Sequence, residues 1–234
     1  MPDKILGVKI DNLSKKEILE KIESFLDEPK FHQIATINPE FILEAQKNEE
    51  FKNILNNCVL NVADGFGIKL AFLRFGKFLK YRFAGVDLMM EILRLANDRG
   101  LEIFLAINKD GLSNFSEIKT EILKIFPNLK IFGDDINVSN IQYSILDIRY
   151  QILLCNFGAP QQEIFINNLK SDTIRIAMGI GGSFDFLTGK IKRAPKIFRI
   201  LGLEWLYRFI QEPKYRWKRI FNAVIIFPVK IILN

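Results

Sequence analysis

One histidine, His32, and two cysteines, Cys58 and Cys155, are all that a chain of 234 residues offers of the common metal-binding and redox side chains. Zinc sites built from several imidazoles are thereby excluded, and His-based triads have a single candidate. The cysteines sit far apart in apolar runs and read as buried thiols of a reducing compartment. No Asp-x-Asp occurs, since Asp134 and Asp135 are adjacent, so the usual transferase motif for a divalent cation is absent. There is also no Gly-x-Gly-x-x-Gly and no Walker A loop. No run reaches the roughly 18 to 20 apolar residues of a membrane span. The longest apolar tail, residues 220–233, is broken by Asn222, Pro228 and Lys230. Residues 1–9 show no secretory pattern, and a cytoplasmic location is expected.

What is present is a core-forming composition, 49% hydrophobic and 26% charged, with 21 Phe. Charge is uneven. Residues 190–234 hold eleven Lys and Arg against Glu204 and Glu212, a net +9, which leaves residues 1–189 at −3 of the chain's +6. Basic residues mixed with Trp, Tyr, Phe and Ile in this last stretch favour an anionic partner: phosphates, nucleic acid or acidic lipid.

Periodicity predicts alternating strands and helices. Strands are expected at residues 5–10, 33–37, 59–62, 101–107, 130–132, 150–156 and 174–179. Helices are expected after Ser14, whose capping-box spacing with Glu17 marks a start, and at 39–47, 53–57, 66–75, 87–97, 112–126 and 160–169. The fold class is α/β: a Rossmann-like, largely parallel sheet flanked by helices. Two parts are expected, an α/β core over residues 1–189 and a basic helical appendage over 190–234. Ligands of such sheets sit at the carboxyl ends of strands, and the polar clusters fall there.

Asp64 leads the catalytic candidates. It stands between an apolar strand and Gly65, where a carboxylate can take the proton of an attacking sugar hydroxyl. It can equally be the N-cap of the next helix. Gly179-Ile180-Gly181-Gly182-Ser183 either brings backbone amides to a phosphate or forms a ligand-free turn. Gly158-Ala159-Pro160-Gln161-Gln162-Glu163 either offers amide side chains to a base or sugar or merely starts a helix. The basic cluster Lys190, Lys192, Arg193, Arg208, Lys214, Arg216, Lys218 and Arg219 can replace a cation at a leaving diphosphate. It can also be a solvated face. His32 reads as structural. Residues 216–230 suit a segment lying in a lipid headgroup layer, or a helix packed on the core.

Seven stretches occur in order between residues 36 and 213, within a resemblance that spans about residues 5 to 219. They are Thr36-Ile37-Asn38-Pro39-Glu40, Ala63-Asp64-Gly65-Phe66-Gly67, Arg82-Phe83-Ala84-Gly85-Val86-Asp87-Leu88, Phe157-Gly158-Ala159-Pro160-Gln161-Gln162-Glu163, Gly179-Ile180-Gly181-Gly182-Ser183-Phe184-Asp185, Gly189-Lys190-Ile191-Lys192-Arg193-Ala194-Pro195, and Gly202-Leu203-Glu204-Trp205-Leu206-Tyr207-Arg208 with Gln211-Glu212-Pro213. Together they resemble the WecG/TagA/CpsF glycosyltransferases. The chain departs from that family at Gln161, at 106–110 and at 134–137.

The resemblance implies an inverting, metal-independent transferase needing no cofactor. Teichoic-acid members of the family move N-acetylmannosamine from UDP to undecaprenyl-diphospho-N-acetylglucosamine in a β-1,4 link. It implies Asp64 as general base and Thr36, Asn38, Arg82 and Gln162 as pocket residues. Gly181 and Gly182 are expected at the substrate, with Arg208 and Arg216 on the appendage completing the site. The expected partners are a UDP-sugar, a polyprenyl-diphosphate-linked acceptor and the anionic inner face of the cell membrane, with peripheral attachment. Nucleic acid is not expected as a partner, and a homo-oligomer stays open. The alternatives are a uronic-acid or other hexose transferase of the same family, a basic nucleic-acid-binding module, an NAD-dependent enzyme, and a scaffold that has lost catalysis.

Overall fold

The structure, a computed structural model, describes residues 3–141, 149–169, 171–200, 202–211 and 213–233, with only the backbone described at positions 200, 208, 215 and 216. The chain opens with β1 (Asp3–Ile5) and β2 (Val8–Ile10). These pair antiparallel, where the sequence pattern suggests one strand. The reason is local: Leu6 and Gly7 both have positive φ, 47° and 79°, which closes a two-residue hairpin inside the alternating run.

Helix α1 (Lys15–Asp27) starts on the expected capping box, with the Ser14 hydroxyl accepting from Glu17 N and the Glu17 carboxylate from Ser14 N. There follow β3 (His32–Ile37), α2 (Pro39–Ala45), α3 (Glu49–Asn57), β4 (Leu60–Ala63), α4 (Phe66–Arg74), α5 (Gly85–Arg99) and β5 (Glu102–Asn108). Next come α6 (Phe115–Ile125), β6 (Lys130–Ile136), β7 (Ile152–Cys155), α7 (Gln161–Asn168), β8 (Ile176–Gly179) and α8 (Ser183–Leu187).

Strands β3 to β8 form one sheet in the order β4-β3-β8-β7-β5-β6, every pairing parallel. Its central strands are buried on both faces, which explains their uninterrupted apolar runs. Alternate residues feed opposite layers. Ile34, Val62, Leu105, Leu154 and Met178 pack with α1, α5 and α6. Ala35, Ile37 and Ala63 pack with the hairpin, α2, α3 and α4. Strand β6 runs four residues beyond the expected 130–132. It is an edge strand, so Asp134 and Asp135 remain partly solvated while their backbone stays paired.

The basic appendage is helical: α9 (Lys196–Ile200), α10 (Glu204–Gln211), α11 (Pro213–Phe221), a π-helical turn Asn222–Ile226, and α12 (Phe227–Ile232). Phe227 and Ile231 are buried beside Phe41, Ile68, Ala71 and Phe72, so α12 packs on the core against α4. A second tie is Arg219 of α11, whose Nε lies 2.9 and 3.0 Å from the two carboxylate oxygens of Glu40 on α2. Both side chains are substantially exposed, and such pairs contribute little. Arg219→Gln is expected to lower unfolding free energy by under about 1 kcal/mol in a urea titration.

Candidate active site

The polar residues gather at the carboxyl ends of β3, β4 and β8. At the end of β3, Thr36 is buried and Asn38 turns the chain into α2, its Oδ1 accepting from Phe41 N at 3.1 Å ahead of Pro39. At the end of β4, Asp64 N donates to Ile37 O at 2.7 Å, carrying the β3–β4 ladder one step past the strand. Asp64 is half-buried there. The N-cap position of α4 is Gly65, at φ 84°, and not Asp64. Gly65 faces Asn38, since a Cβ on it would lie 3.9 Å from Asn38 Cβ and 3.4 Å from Pro39 Cδ.

The loop before α5 lies along the same edge. Phe83 N donates to Ala63 O at 3.0 Å, which holds the adjacent Arg82 beside the end of β4. A Cβ at Gly85 would come 3.4 Å from Thr36 Oγ1 and 3.9 Å from Ser183 Oγ. Glycine at the start of α5 therefore lets three elements converge.

The appendage closes on this edge at three points. Arg82 Nη2 donates to Arg199 O of α9 at 2.9 Å. Arg193 Nη2 donates to Asp87 Oδ1, in the first turn of α5, at 2.6 Å. Gly202, at φ 75°, lies so close to Phe66 that a Cβ would be 2.8 Å from the ring. Phe66 opens α4 two positions after Asp64, so the basic segment meets the chain close to the end of β4. The Nε groups of Arg193 and Arg199 are buried with no hydrogen-bond partner, which leaves cationic donors at the junction unspent.

Gln162 and Gly181 meet each other. Gln162 is buried; its Oε1 accepts from Gly158 N at 3.1 Å and from Gly181 N at 3.0 Å, and its Nε2 donates to Glu163 Oε1 at 2.7 Å. It braces the two turns together and differs from an amide presented to a sugar. The Gly181 N–H is likewise spent on Gln162, so this amide does not point at a phosphate. Gly182 is the N-cap of α8. Glu163 is 1% exposed, its Oε2 has no partner, and burial pushes its carboxyl up to about 8. A Cβ on Gly179 would lie 2.4 Å from Gln162 Nε2, so only glycine leaves room for this brace.

His32 is structural, with Nδ1 2.8 Å from Arg175 O and its ring stacked on Phe25. Cys58 and Cys155 are buried free thiols. Among the described residues no three His, Cys, Asp or Glu side chains are grouped to hold a metal ion.

The sequence model of the glycosyl transferase WecG/TagA/CpsF family matches residues 3–234. The chain belongs to this family. It is 32% identical over 219 residues to an N-acetylglucosaminyldiphosphoundecaprenol N-acetyl-beta-D-mannosaminyltransferase of Bacillus subtilis (strain 168), covering 91% of this chain and 81% of that protein. A Staphylococcus aureus (strain MRSA252) protein of the same name is 30% identical over 241 residues, covering 97% of this chain and 91% of its own. One from Bacillus spizizenii is 30% identical over 204 residues, covering 85% and 78%.

As a WecG/TagA/CpsF glycosyltransferase, the chain brings Thr36, Asn38, Asp64 and Arg82 to one edge of the sheet. Arg208 and Arg216 lie on α10 and α11, and their side chains fall outside the described residues. The nucleic-acid and NAD readings are not favoured by these likenesses. Sequence reasoning passed over the inward turn of Gln162 and Glu163 and the Arg193–Asp87 pair. The first had a signal: Gln162 and Glu163 each stand three positions before an apolar residue, Phe165 and Ile166 respectively, hence on the same face of α7. The second had none, because it joins residues 106 positions apart.

Proposed function

We propose that this glycosyltransferase moves N-acetylmannosamine from UDP to undecaprenyl-diphospho-N-acetylglucosamine, with inversion and without a metal ion. The observation that carries this is the meeting of the basic appendage with the end of β4. Gly202 rests on Phe66, and Arg82 reaches the carbonyl of Arg199. A carboxylate at a strand end near a cation-rich segment suits a displacement that needs one base and a charge sink for the departing diphosphate.

In this reading Asp64 accepts the proton of the acceptor hydroxyl as that oxygen attacks the anomeric carbon from the face opposite UDP. Thr36 and Asn38 line the floor. Arg82, Arg208 and Arg216 neutralise the diphosphate, and Gln162 with Gly181 and Gly182 shapes the neighbouring wall. Residues 1–189 form the catalytic core and 190–234 the closing appendage. Among the described residues no helix is long and apolar enough to cross a membrane. The appendage instead presents Trp217, Phe221, Ile225 and Ile232 outward with Lys214 and Lys218. This combination suits peripheral attachment to the anionic inner leaflet, where the acceptor resides.

The test is transfer of radiolabel from a panel of UDP-sugars to a short-chain lipid-diphospho-GlcNAc. Product is expected from UDP-N-acetylmannosamine at the same rate with and without EDTA. Product only from a UDP-uronic acid or another UDP-hexose, or loss of activity in EDTA, overturns the reading. UDP at about a hundred times its Kd is expected to stabilise the fold by roughly 2.7 kcal/mol, equally with EDTA present, in a thermal-shift assay.

A further inference from the structure

Helix α4 has its apolar residues on two faces. Ile68, Ala71 and Phe72 point into the core, while Leu70 and Leu73 are 45% and 44% exposed. The chain then runs through Phe75 to Phe78, which is 80% exposed. This loop is held in place. Gly76, at φ 68°, ends α4 with its N–H on Leu73 O at 3.0 Å and Lys77 N on Phe72 O at 2.9 Å. Asn12 clasps the far side, donating from Nδ2 to Phe78 O at 2.9 Å and accepting at Oδ1 from Lys80 N at 2.8 Å. Lys77 pairs with Asp3. Phe78 is thus displayed in water by a fixed backbone.

The charge pattern selects the occupant. Residues 66–83 carry Lys69, Arg74, Lys77, Lys80 and Arg82 and no Asp or Glu. The adjacent α12, packed on α4 through Phe227 and Ile231, turns Val229 and Ile232 outward, and residues 213–233 also hold no acid. A second copy seated on this face would oppose cations to cations. An anionic bilayer supplies both the apolar phase and the negative charge.

We infer that α4 and the loop 75–80 form a second bilayer-contacting element, separate from the appendage, with Phe78 and Leu73 entering the headgroup layer. Asp64 immediately precedes α4. Contact at this helix therefore fixes the orientation of the site toward a membrane-borne acceptor. The inference rests on the reading of the acceptor as lipid-linked, but its first measurement does not depend on transfer.

The full chain and the variants Phe78→Ser and Leu73→Ser/Phe78→Ser are sedimented with vesicles of phosphatidylglycerol and phosphatidylcholine. The double variant is expected to bind about tenfold or more weakly, and the single variant to fall between, with melting temperatures unchanged. Transfer to a short-chain, water-soluble acceptor is expected at the unvaried rate, and transfer to vesicle-embedded undecaprenyl acceptor is expected to drop. Unchanged vesicle binding by both variants overturns the inference. So does a dimer in sedimentation that the substitutions dissociate without altering vesicle binding, because the face is then a self-interface. If the unvaried chain transfers no sugar at all, the proposed activity fails while the vesicle result still decides this surface.

Discussion

Asp64→Asn is expected to lower turnover on the short-chain acceptor by about 10²- to 10⁴-fold, the usual contribution of a positioned base. Asparagine keeps the shape of the side chain and cannot take up a proton. The backbone that positions it, Asp64 N on Ile37 O and Gly65 at positive φ, does not depend on the carboxylate. Melting temperature and affinity for UDP should therefore stay near those of the unvaried chain, with the loss confined to kcat. Near-normal turnover would remove Asp64 from the role. A collapse of UDP affinity with preserved kcat would make it a binding residue.

A second large effect concerns stability. Glu163 is buried with one carboxylate oxygen unpartnered, and its carboxyl titrates near 8 where an ordinary glutamate titrates at 4.5. The folded chain keeps this proton while the unfolded chain releases it. Stability is full below about pH 4.5, falls between there and about 8, and levels off above. At about 1.4 kcal/mol per pKa unit the loss across that window is roughly 3–5 kcal/mol. Glu17 and Glu117 act in the opposite sense. The Ser14 amide and the Lys190 ammonium, respectively, hold their carboxyls below the usual range, so their effect is confined to more acidic solution. In Glu163→Gln the decline is expected to vanish, so the variant's advantage over the parent grows from pH 5 to 8.5 in urea titrations. Parallel curves would show that Glu163 does not titrate in this window.

Much of this architecture can be read along the chain. Strands buried on both faces announce themselves as unbroken apolar runs, and the Ser14 box and Asn38-Pro39 mark helix starts that the structure keeps. Asn38 and Asp64 are locatable because each follows a strand, and Thr36 because it stands near a strand's carboxyl end, whereas Arg82 is reached only through the family resemblance. The remainder depends on partners remote in sequence. Gly202 must be glycine because of Phe66, and Gly179 because of Gln162, and no local pattern around either position states that requirement. The opening hairpin is hidden for a different reason: two residues of positive φ interrupt the alternation without disturbing its spacing.

Gly67 illustrates how tightly α12 is geared to the start of α4. A single methyl there would meet Pro39 Cγ at 2.6 Å and come 3.6 Å from the Phe227 ring. The three positions thus behave as one mechanical joint linking the turn after β3, α4 and α12. A helix grafted from a relative in place of α12 would have to bring a side chain of matching thickness at 227, or the graft would displace the start of α4.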